Sequence, residues 1–216
     1  MKWKIILPLL LYILEASCKE HPEAKLPFLD YCRYFGYPVE YHDITTEDGY
    51  ILRVFRIQKK GTRIREGLQP ILLQHGLLDS SDTWLINDEN KAPGFMVANS
   101  GYDVWLGNNR GNKHSRKHVK YNPDKDKQFR EFSFQHMADF DIPAVLEHIY
   151  NCTGQKVSYI GHSQGTAQMH IALAKNNQVV EKVLNKYFAF GPIAYIEHQN
   201  SFLIGLLDKS LILQWF

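Results

Sequence analysis

One serine of this chain lies between two glycines at a spacing that suits nucleophilic chemistry. Residues 161–165 read Gly-His-Ser-Gln-Gly, after an apolar strand-like run over 157–160 and before a helical pattern that contains no Pro or Gly. In a nucleophile elbow the serine occupies a sharp strand-to-helix turn, and the flanking glycines, here Gly161 and Gly165, make room for neighbouring backbone. Glycine-flanked serines also occur in plain turns. The strand before Ser163 and the helix after it favour the nucleophile.

The hydrophobic pattern predicts the elements that would position this serine. Alternation over 39–44 and a β-branched run over 50–57, joined through Asp48-Gly49, predict a β-hairpin. Further strands are predicted at 70–74, 102–106, 157–160 and 186–190, and helices at 93–98, at 134–150 with a kink or restart at Pro143, and after Ser163. This order predicts an α/β fold with a mostly parallel sheet. The loops after strands 70–74 and 102–106 would then meet the elbow at one sheet edge.

Composition limits the classes of function. The 216 residues are 44% hydrophobic and 22% charged, enough for one sizeable core. A net charge of +2 gives no large field of either sign and argues against a nucleic-acid partner. The one basic cluster, residues 110–120, is interpreted as a solvated loop rather than a site for a polyanion or a lipid headgroup.

The amino terminus has the layout of a secretory signal peptide over residues 1–18. A short basic lead precedes an apolar run over 5–14, and small residues follow up to Cys18. An uncleaved membrane anchor is the alternative, although the run is short for a bilayer span. Asn151-Cys152-Thr153 satisfies the N-glycosylation pattern, so Asn151 is predicted to be glycosylated and exposed.

Two cysteines, Cys32 and Cys152, remain after such a cleavage. They could pair in an oxidising compartment or stay free, and the sequence does not choose between these states. Their spacing matches no zinc motif, so no metal is predicted.

A dense set of motifs connects the chain with a known family. The chain resembles the acid lipases, the gastric and lysosomal lipases of the α/β-hydrolase superfamily, over roughly residues 27–195. The resemblance implies that residues 19–195 form the amino-terminal part of an α/β-hydrolase core. The matching motifs are Gly36-Tyr37-Pro38, Thr46-Glu47-Asp48-Gly49-Tyr50-Ile51-Leu52, Leu73-Gln74-His75-Gly76-Leu77, the stretch Gly101-Tyr102-Asp103-Val104-Trp105-Leu106-Gly107-Asn108-Asn109-Arg110-Gly111-Asn112, Phe132-Ser133-Phe134, Asp141-Ile142-Pro143-Ala144 and Gly161-His162-Ser163-Gln164-Gly165.

The resemblance also implies roles for particular residues. Ser163 would attack an ester carbonyl and form an acyl-enzyme, and the backbone N–H groups of Leu77 and Gln164 would form the oxyanion hole. His162 would shape the elbow together with Gly161 and Gly165, and His75, His162 and Asp103 are interpreted as structural residues rather than proton carriers. The implied substrates are lipid carboxylic esters, acylglycerols or sterol esters, met at a lipid or membrane interface by a secreted or lysosomal protein without a cofactor.

The acid and the histidine that would complete a triad are not expected in this chain. In this fold both follow the serine, and in the family they follow a cap whose start would correspond to residues 196–216. The acids after Ser163 are Glu181, Glu197 and Asp208, and the histidines are His170 and His198. The order Ser163, Glu181, His198 is formally allowed, but Glu181 precedes the last predicted strand.

Two other interpretations stay open beside the hydrolase. The chain could be a catalytically inactive lipase-like protein that binds a lipid or a partner through its apolar last residues. It could also be an active chain that another polypeptide completes.

Overall fold

The computed structural model describes residues 22–195, in which helices and strands alternate after an initial hairpin. The strands are β1 (Val39–Thr45), β2 (Tyr50–Ile57), β3 (Pro70–Gln74), β4 (Asp103–Leu106), β5 (Lys117–His118), β6 (Val157–His162) and β7 (Leu184–Phe190). The helices are α1 (Phe28–Tyr34), α2 (Pro93–Asn99), α3 (Phe134–His136), α4 (Ile142–Thr153), α5 (Gln164–Ala174) and α6 (Gln178–Val183). Short 3₁₀ turns occupy Pro22–Lys25, Ser81–Trp84 and Lys127–Arg130, and a π-helical turn occupies Met137–Asp141.

Six strands form a continuous sheet in the order β1-β2-β4-β3-β6-β7, and β5 pairs with β2 beside this path. The β1–β2 hairpin is antiparallel, as is the pairing of β2 with β4. From β4 onward the neighbours β4–β3, β3–β6 and β6–β7 are parallel. The predicted mixed sheet with an antiparallel start is therefore confirmed. The strand that carries the elbow lies between β3 and β7.

Side chains alternate along the central strands and build a core on each face of the sheet. Leu72, Trp105 and Tyr159 pack with the apolar faces of α4, α5 and α6. Their neighbours Leu73 and Leu106 point the other way and pack with α1 and α2. Because helices cover both faces, β3 and β4 are buried along their whole length, as their continuous apolar runs predict.

The segment before the elbow strand is interrupted where the sequence predicts a kink or a restart. The π-helical turn Met137–Asp141 joins α3 to α4 with helical backbone angles on both sides, and Pro143, which has no N–H to donate, follows it in the first turn of α4. Gly154 ends α4 in the left-handed conformation, with φ 66°.

The interpretation of residues 110–120 as a solvated loop is wrong for Arg110 and for Ser115, which are both buried. The Arg110 side chain is completely buried, pairs with Asp48 and Asp141, and lies 4.1 Å from the ring centre of Tyr50. Two carboxylates and an aromatic face compensate the desolvated guanidinium, which explains how this cation is buried. Lys113, Arg116 and Lys117 are about half exposed or more, as predicted.

The predicted signal peptide and the predicted start of a cap, residues 196–216, lie outside the described residues, as do Glu197, His198 and Asp208. Across residues 22–195, the helices fall short of the length and hydrophobicity that crossing a bilayer requires.

Candidate active site

Ser163 occupies a tight turn between β6 and α5. Its backbone has φ 51° and ψ −115°, a conformation that non-glycine residues rarely adopt and that strains the backbone by about 1–3 kcal/mol. The two glycines are required for space. A Cβ on Gly161 would lie 2.9 Å from the carbonyl of Gly165, and a Cβ on Gly165 would lie 2.7 Å from the carbonyl oxygen of Gln74. The turn therefore holds Ser163 by close backbone contacts with β3.

The loop after β3 runs directly beside this serine. A Cβ on Gly76 would lie 3.2 Å from the Cβ of Ser163, so the chain passes at van der Waals distance. The next residue is Leu77, one of the two predicted oxyanion donors. The other, Gln164, is the first residue of α5, and the first N–H groups of a helix have no intrahelical acceptor. Both predicted donors thus lie in segments adjacent to the serine.

A buried imidazole holds the loop in this position. His75 has its Nδ1 2.8 Å from the carbonyl oxygen of Gly76, and its Nε2 accepts the backbone N–H of Asn109 at 3.1 Å. These contacts assign the proton to Nδ1. Burial lowers the pKa of His75 from its usual value, although the contact with the Gly76 carbonyl opposes that shift. His75 is therefore a neutral structural residue that ties the β3 loop to the loop after β4.

Hydrogen bonds hold the side of the elbow that faces β7. The Ser163 N–H donates to the carbonyl oxygen of Phe190 at 2.9 Å, and the hydroxyl of Thr166 donates to the carbonyl oxygen of Ser163 at 2.6 Å. The hydroxyl of Tyr187 donates to the carbonyl oxygen of Thr166 at 3.1 Å and lies 3.2 Å from Nε2 of His170. These bonds connect β7 to α5.

The described residues bring no proton acceptor to the serine side chain. Within residues 22–195, no side chain forms a hydrogen bond with the Ser163 hydroxyl. His170 contacts the carbonyl oxygen of Ile193 through Nδ1 at 3.2 Å, and Glu181 is exposed on α6. The His162 side chain is also exposed, and its ring lies next to Gly76. The histidine and the acid expected for a triad are therefore not assembled from this part of the chain.

Asp103 belongs to an ion network at the start of β4. Arg56 donates to both of its carboxylate oxygens, at 2.8 and 2.9 Å, and Gln58 and Trp105 donate to it as well. With these partners Asp103 is a structural carboxylate.

Two residues whose roles the sequence does not predict support the turn at Ser163. The Tyr159 hydroxyl donates to the carbonyl oxygen of Gly165 at 2.7 Å, which secures the start of α5. The Asn109 side chain accepts a hydrogen bond from Gln74 at 2.8 Å. Asn109 lies within a family motif, whereas nothing in the local pattern around Tyr159 signals its bond.

The remaining predicted positions lie away from the elbow. Asn151 is exposed near the end of α4, as glycosylation would require. Cys32 is buried in the core and Cys152 is exposed, and both are free thiols.

The fold and the sequence together define the class of protein. A family model described as the alpha/beta hydrolase fold matches residues 69–185, and the chain belongs to this family. A second model, described as a partial alpha/beta-hydrolase lipase region, matches residues 28–88. The predicted resemblance to lipases is confirmed.

Two curated relatives show which members of the family the chain is similar to. The chain is 42% identical over 200 residues to gastric triacylglycerol lipase of Mus musculus, covering 89% of this chain and 50% of the relative. It is 45% identical over 183 residues to Lipase member M of Mus musculus, covering 83% of this chain and 43% of the relative. The chain thus spans about half the length of the curated relatives it matches.

Among solved structures, the fold resembles brefeldin A esterase, described as a bacterial homologue of human hormone-sensitive lipase. The TM-score is 0.53 with 15% sequence identity, covering 96% of this chain and 55% of that structure. At this identity the likeness concerns the fold alone.

Proposed function

We propose that this chain carries the nucleophile and the oxyanion hole of a serine hydrolase that acts on lipid carboxylic esters. The observation that carries the proposal is the strained Ser163 turn, with the Gly76 loop at van der Waals distance on one side and the first N–H of α5 on the other. In the proposed reaction, the Ser163 hydroxyl attacks the ester carbonyl. The N–H groups of Leu77 and Gln164 stabilise the negative charge that develops on the carbonyl oxygen.

The surface next to the serine supports an apolar substrate. Leu77 and Leu78 follow Gly76 and are 43% and 57% exposed. Phe190, whose carbonyl oxygen accepts the Ser163 N–H, is 52% exposed. These side chains would accept an acyl chain or face a lipid interface. The choice of acylglycerols or sterol esters, and secretion or lysosomal residence, rests on the relatives and on the predicted signal peptide.

The test measures hydrolysis by the secreted full chain of a short-chain nitrophenyl ester and of an emulsified triacylglycerol. Ser163→Ala should reduce hydrolysis to the background rate. Ser133→Ala, at an exposed serine before α3, should leave it unchanged. Without a positioned base, a serine retains only roughly 10³–10⁴-fold acceleration over water from the oxyanion hole and binding, so slow turnover that depends on Ser163 supports the proposal.

The same experiment distinguishes the hydrolase from the second candidate function, an inactive protein that binds lipid. The Ser163 hydroxyl has no hydrogen-bond partner within residues 22–195, which is the observation that favours an inactive, lipid-binding protein. That candidate predicts equal background hydrolysis for the wild type and Ser163→Ala, together with cosedimentation of both proteins with lipid vesicles.

A further inference from the structure

A cluster of nitrogen and sulfur atoms lies on the opposite edge of the sheet from β7. It consists of His42 on β1 with His148 and Cys152 on α4. The two α4 residues are four positions apart and therefore share one helix face, which packs against β1. Strands β2, β4 and β3 lie between β1 and β6, the strand that leads to Ser163. The cluster therefore lies in a different part of the molecule from Ser163.

The geometry of the three side chains approaches that of a tetrahedral zinc site. Nδ1 of His42 lies 3.0 Å from Nε2 of His148, and Sγ of Cys152 lies 3.5 Å from the same Nε2. All three ligand atoms lie within 4.8 Å of one another. Zinc–nitrogen and zinc–sulfur bond lengths in a tetrahedron require separations of roughly 3.3 Å between two nitrogens and roughly 3.6 Å between nitrogen and sulfur. Small side-chain rotations would bring the three atoms to these separations.

The protons of the cluster do not satisfy all three ligand atoms at once. Nε2 of His42 lies 3.2 Å from the Glu40 carboxylate, and donation there leaves a lone pair on Nδ1. Nε2 of His148 can then either donate to this lone pair or accept from the Cys152 thiol, because one ring nitrogen has one role at a time. A cation between the three atoms would accept all three lone pairs together.

Glu40 supplies the outer support that metal-bound histidines have in many proteins. Its carboxylate accepts from His42 and also from Arg56, at 2.9 Å. A carboxylate in this position orients the imidazole and increases its basicity toward a metal.

We infer that His42, His148 and Cys152 form a zinc site that links β1 to α4 and leaves the fourth coordination position to solvent. Imidazole and thiolate ligands suit Zn²⁺, and binding releases the proton of the Cys152 thiol into solution. Each ligand comes from outside the elbow, so the ion would stabilise the fold without a part in ester hydrolysis. The inference therefore does not depend on the proposed function.

The experiment titrates the reduced, chelator-treated full chain with Zn²⁺ and, separately, with Co²⁺ as a coloured probe. We expect one Zn²⁺ per chain by calorimetry, a higher melting temperature, and a thiolate-to-cobalt charge-transfer band. The affinity should fall as the pH decreases, because protons compete for the same lone pairs. Absence of stoichiometric binding, or a cobalt spectrum without the thiolate band, would overturn the inference.

Variants then assign the ligands. Cys152→Ser preserves the Asn151 glycosylation pattern and should remove the charge-transfer band. His42→Gln should weaken Zn²⁺ binding at least tenfold, and Glu40→Gln should weaken it roughly 10–100-fold through the lost outer support. His118→Gln, a matched histidine on β5, should leave it unchanged. Wild-type zinc affinity in Cys152→Ser, His42→Gln and Glu40→Gln would contradict the assignment. The cobalt spectrum of the wild type decides the matter even if a variant does not fold.

Zinc should also protect the Cys152 thiol from a thiol reagent. Cys32 serves as the internal control, since it is fully buried and burial raises the pKa of its thiol to about 12. The part of the reaction that Cys152→Ser removes should slow at least tenfold with stoichiometric Zn²⁺. An unchanged rate would count against coordination by this thiol.

Discussion

The two flanks of the elbow differ in how they are built. Toward β3, buried polar side chains and glycine contacts hold the backbone, with His75 2% and Asn109 3% exposed. Toward β7, among residues 22–195, Phe188 and Phe190 line a groove of about 510 Å³ together with Met96 and Ile160. The position of the serine and of the N–H donors is therefore fixed by backbone packing on the β3 flank, whereas the described part of the β7 flank forms an apolar groove.

Removal of the buried cation on the β3 flank should have the largest effect on stability. Arg110→Met leaves Asp48 and Asp141 without their partner, and breaking a buried pair in this way costs about 3–5 kcal/mol. Urea unfolding of the two proteins measures the difference. Arg116→Met is the matched control because its ion pair with Asp124 is exposed, and it should cost less than about 1 kcal/mol. Equal losses would remove the distinction between buried and exposed pairs in this loop.

A methyl group added at Gly165, where the elbow contacts β3, should cause the next largest loss of stability. In Gly165→Ala the new Cβ would lie 2.7 Å from the Gln74 carbonyl oxygen, and such overpacking costs about 1–3 kcal/mol. Gly61→Ala is the control for backbone conformation, since Gly61 has φ 72° and open space around it. It should cost about 1 kcal/mol, and only Gly165→Ala should also impair reaction at Ser163. A Gly165→Ala protein with wild-type stability and reactivity would show that the close contact is not needed.

The buried imidazole predicts how the β3 flank responds to acid. Burial lowers the pKa of His75, so the unfolded chain binds this proton more readily than the folded one. Stability from His75 is then fully present above a pH of about 6.5 and falls below it, by at most about 1.4 kcal/mol per pH unit. Urea unfolding at pH 7 and pH 5.5 should show a smaller pH dependence for His75→Gln than for the wild type. Identical slopes would contradict a neutral, buried His75.

The smallest effect is expected on the β7 flank. Tyr187→Phe removes the hydrogen bond to the Thr166 carbonyl and the contact with His170, on a side chain that is only partly buried. The loss should be about 1 kcal/mol, measured by the same unfolding experiment. A loss as large as that of Arg110→Met would mean that both flanks are held with similar strength.

Local patterns in the sequence predict much of this structure. The Asp48-Gly49 hairpin, the apolar runs of β3 and β4, and the strand-turn-helix around Ser163 are encoded by neighbouring residues. Pro143 likewise marks the place where the helix becomes irregular, directly after the π-helical turn. In each of these cases a few adjacent positions determine the backbone conformation.

Contacts between distant residues could not be predicted in the same way. Arg110 lies in a loop rich in basic residues, and its partners Asp48 and Asp141 are 62 and 31 positions away. His42 and His148 are 106 positions apart, so the spacing of His148 and Cys152 on one helix does not reveal the third member of their cluster. The two-residue strand β5 is defined by its pairing with β2 rather than by its own pattern.

The assignment of Ser163 as the nucleophile is tested most directly by covalent labelling with a serine-directed fluorophosphonate, followed by intact mass and peptide mapping. Without a positioned base the reaction should be slow, and on long incubation it should give one adduct per chain on Ser163 in the wild type and in Ser133→Ala, and none in Ser163→Ala. Equal labelling of the wild type and Ser163→Ala, or an adduct that maps to another residue, would contradict the assignment of Ser163 as the nucleophile.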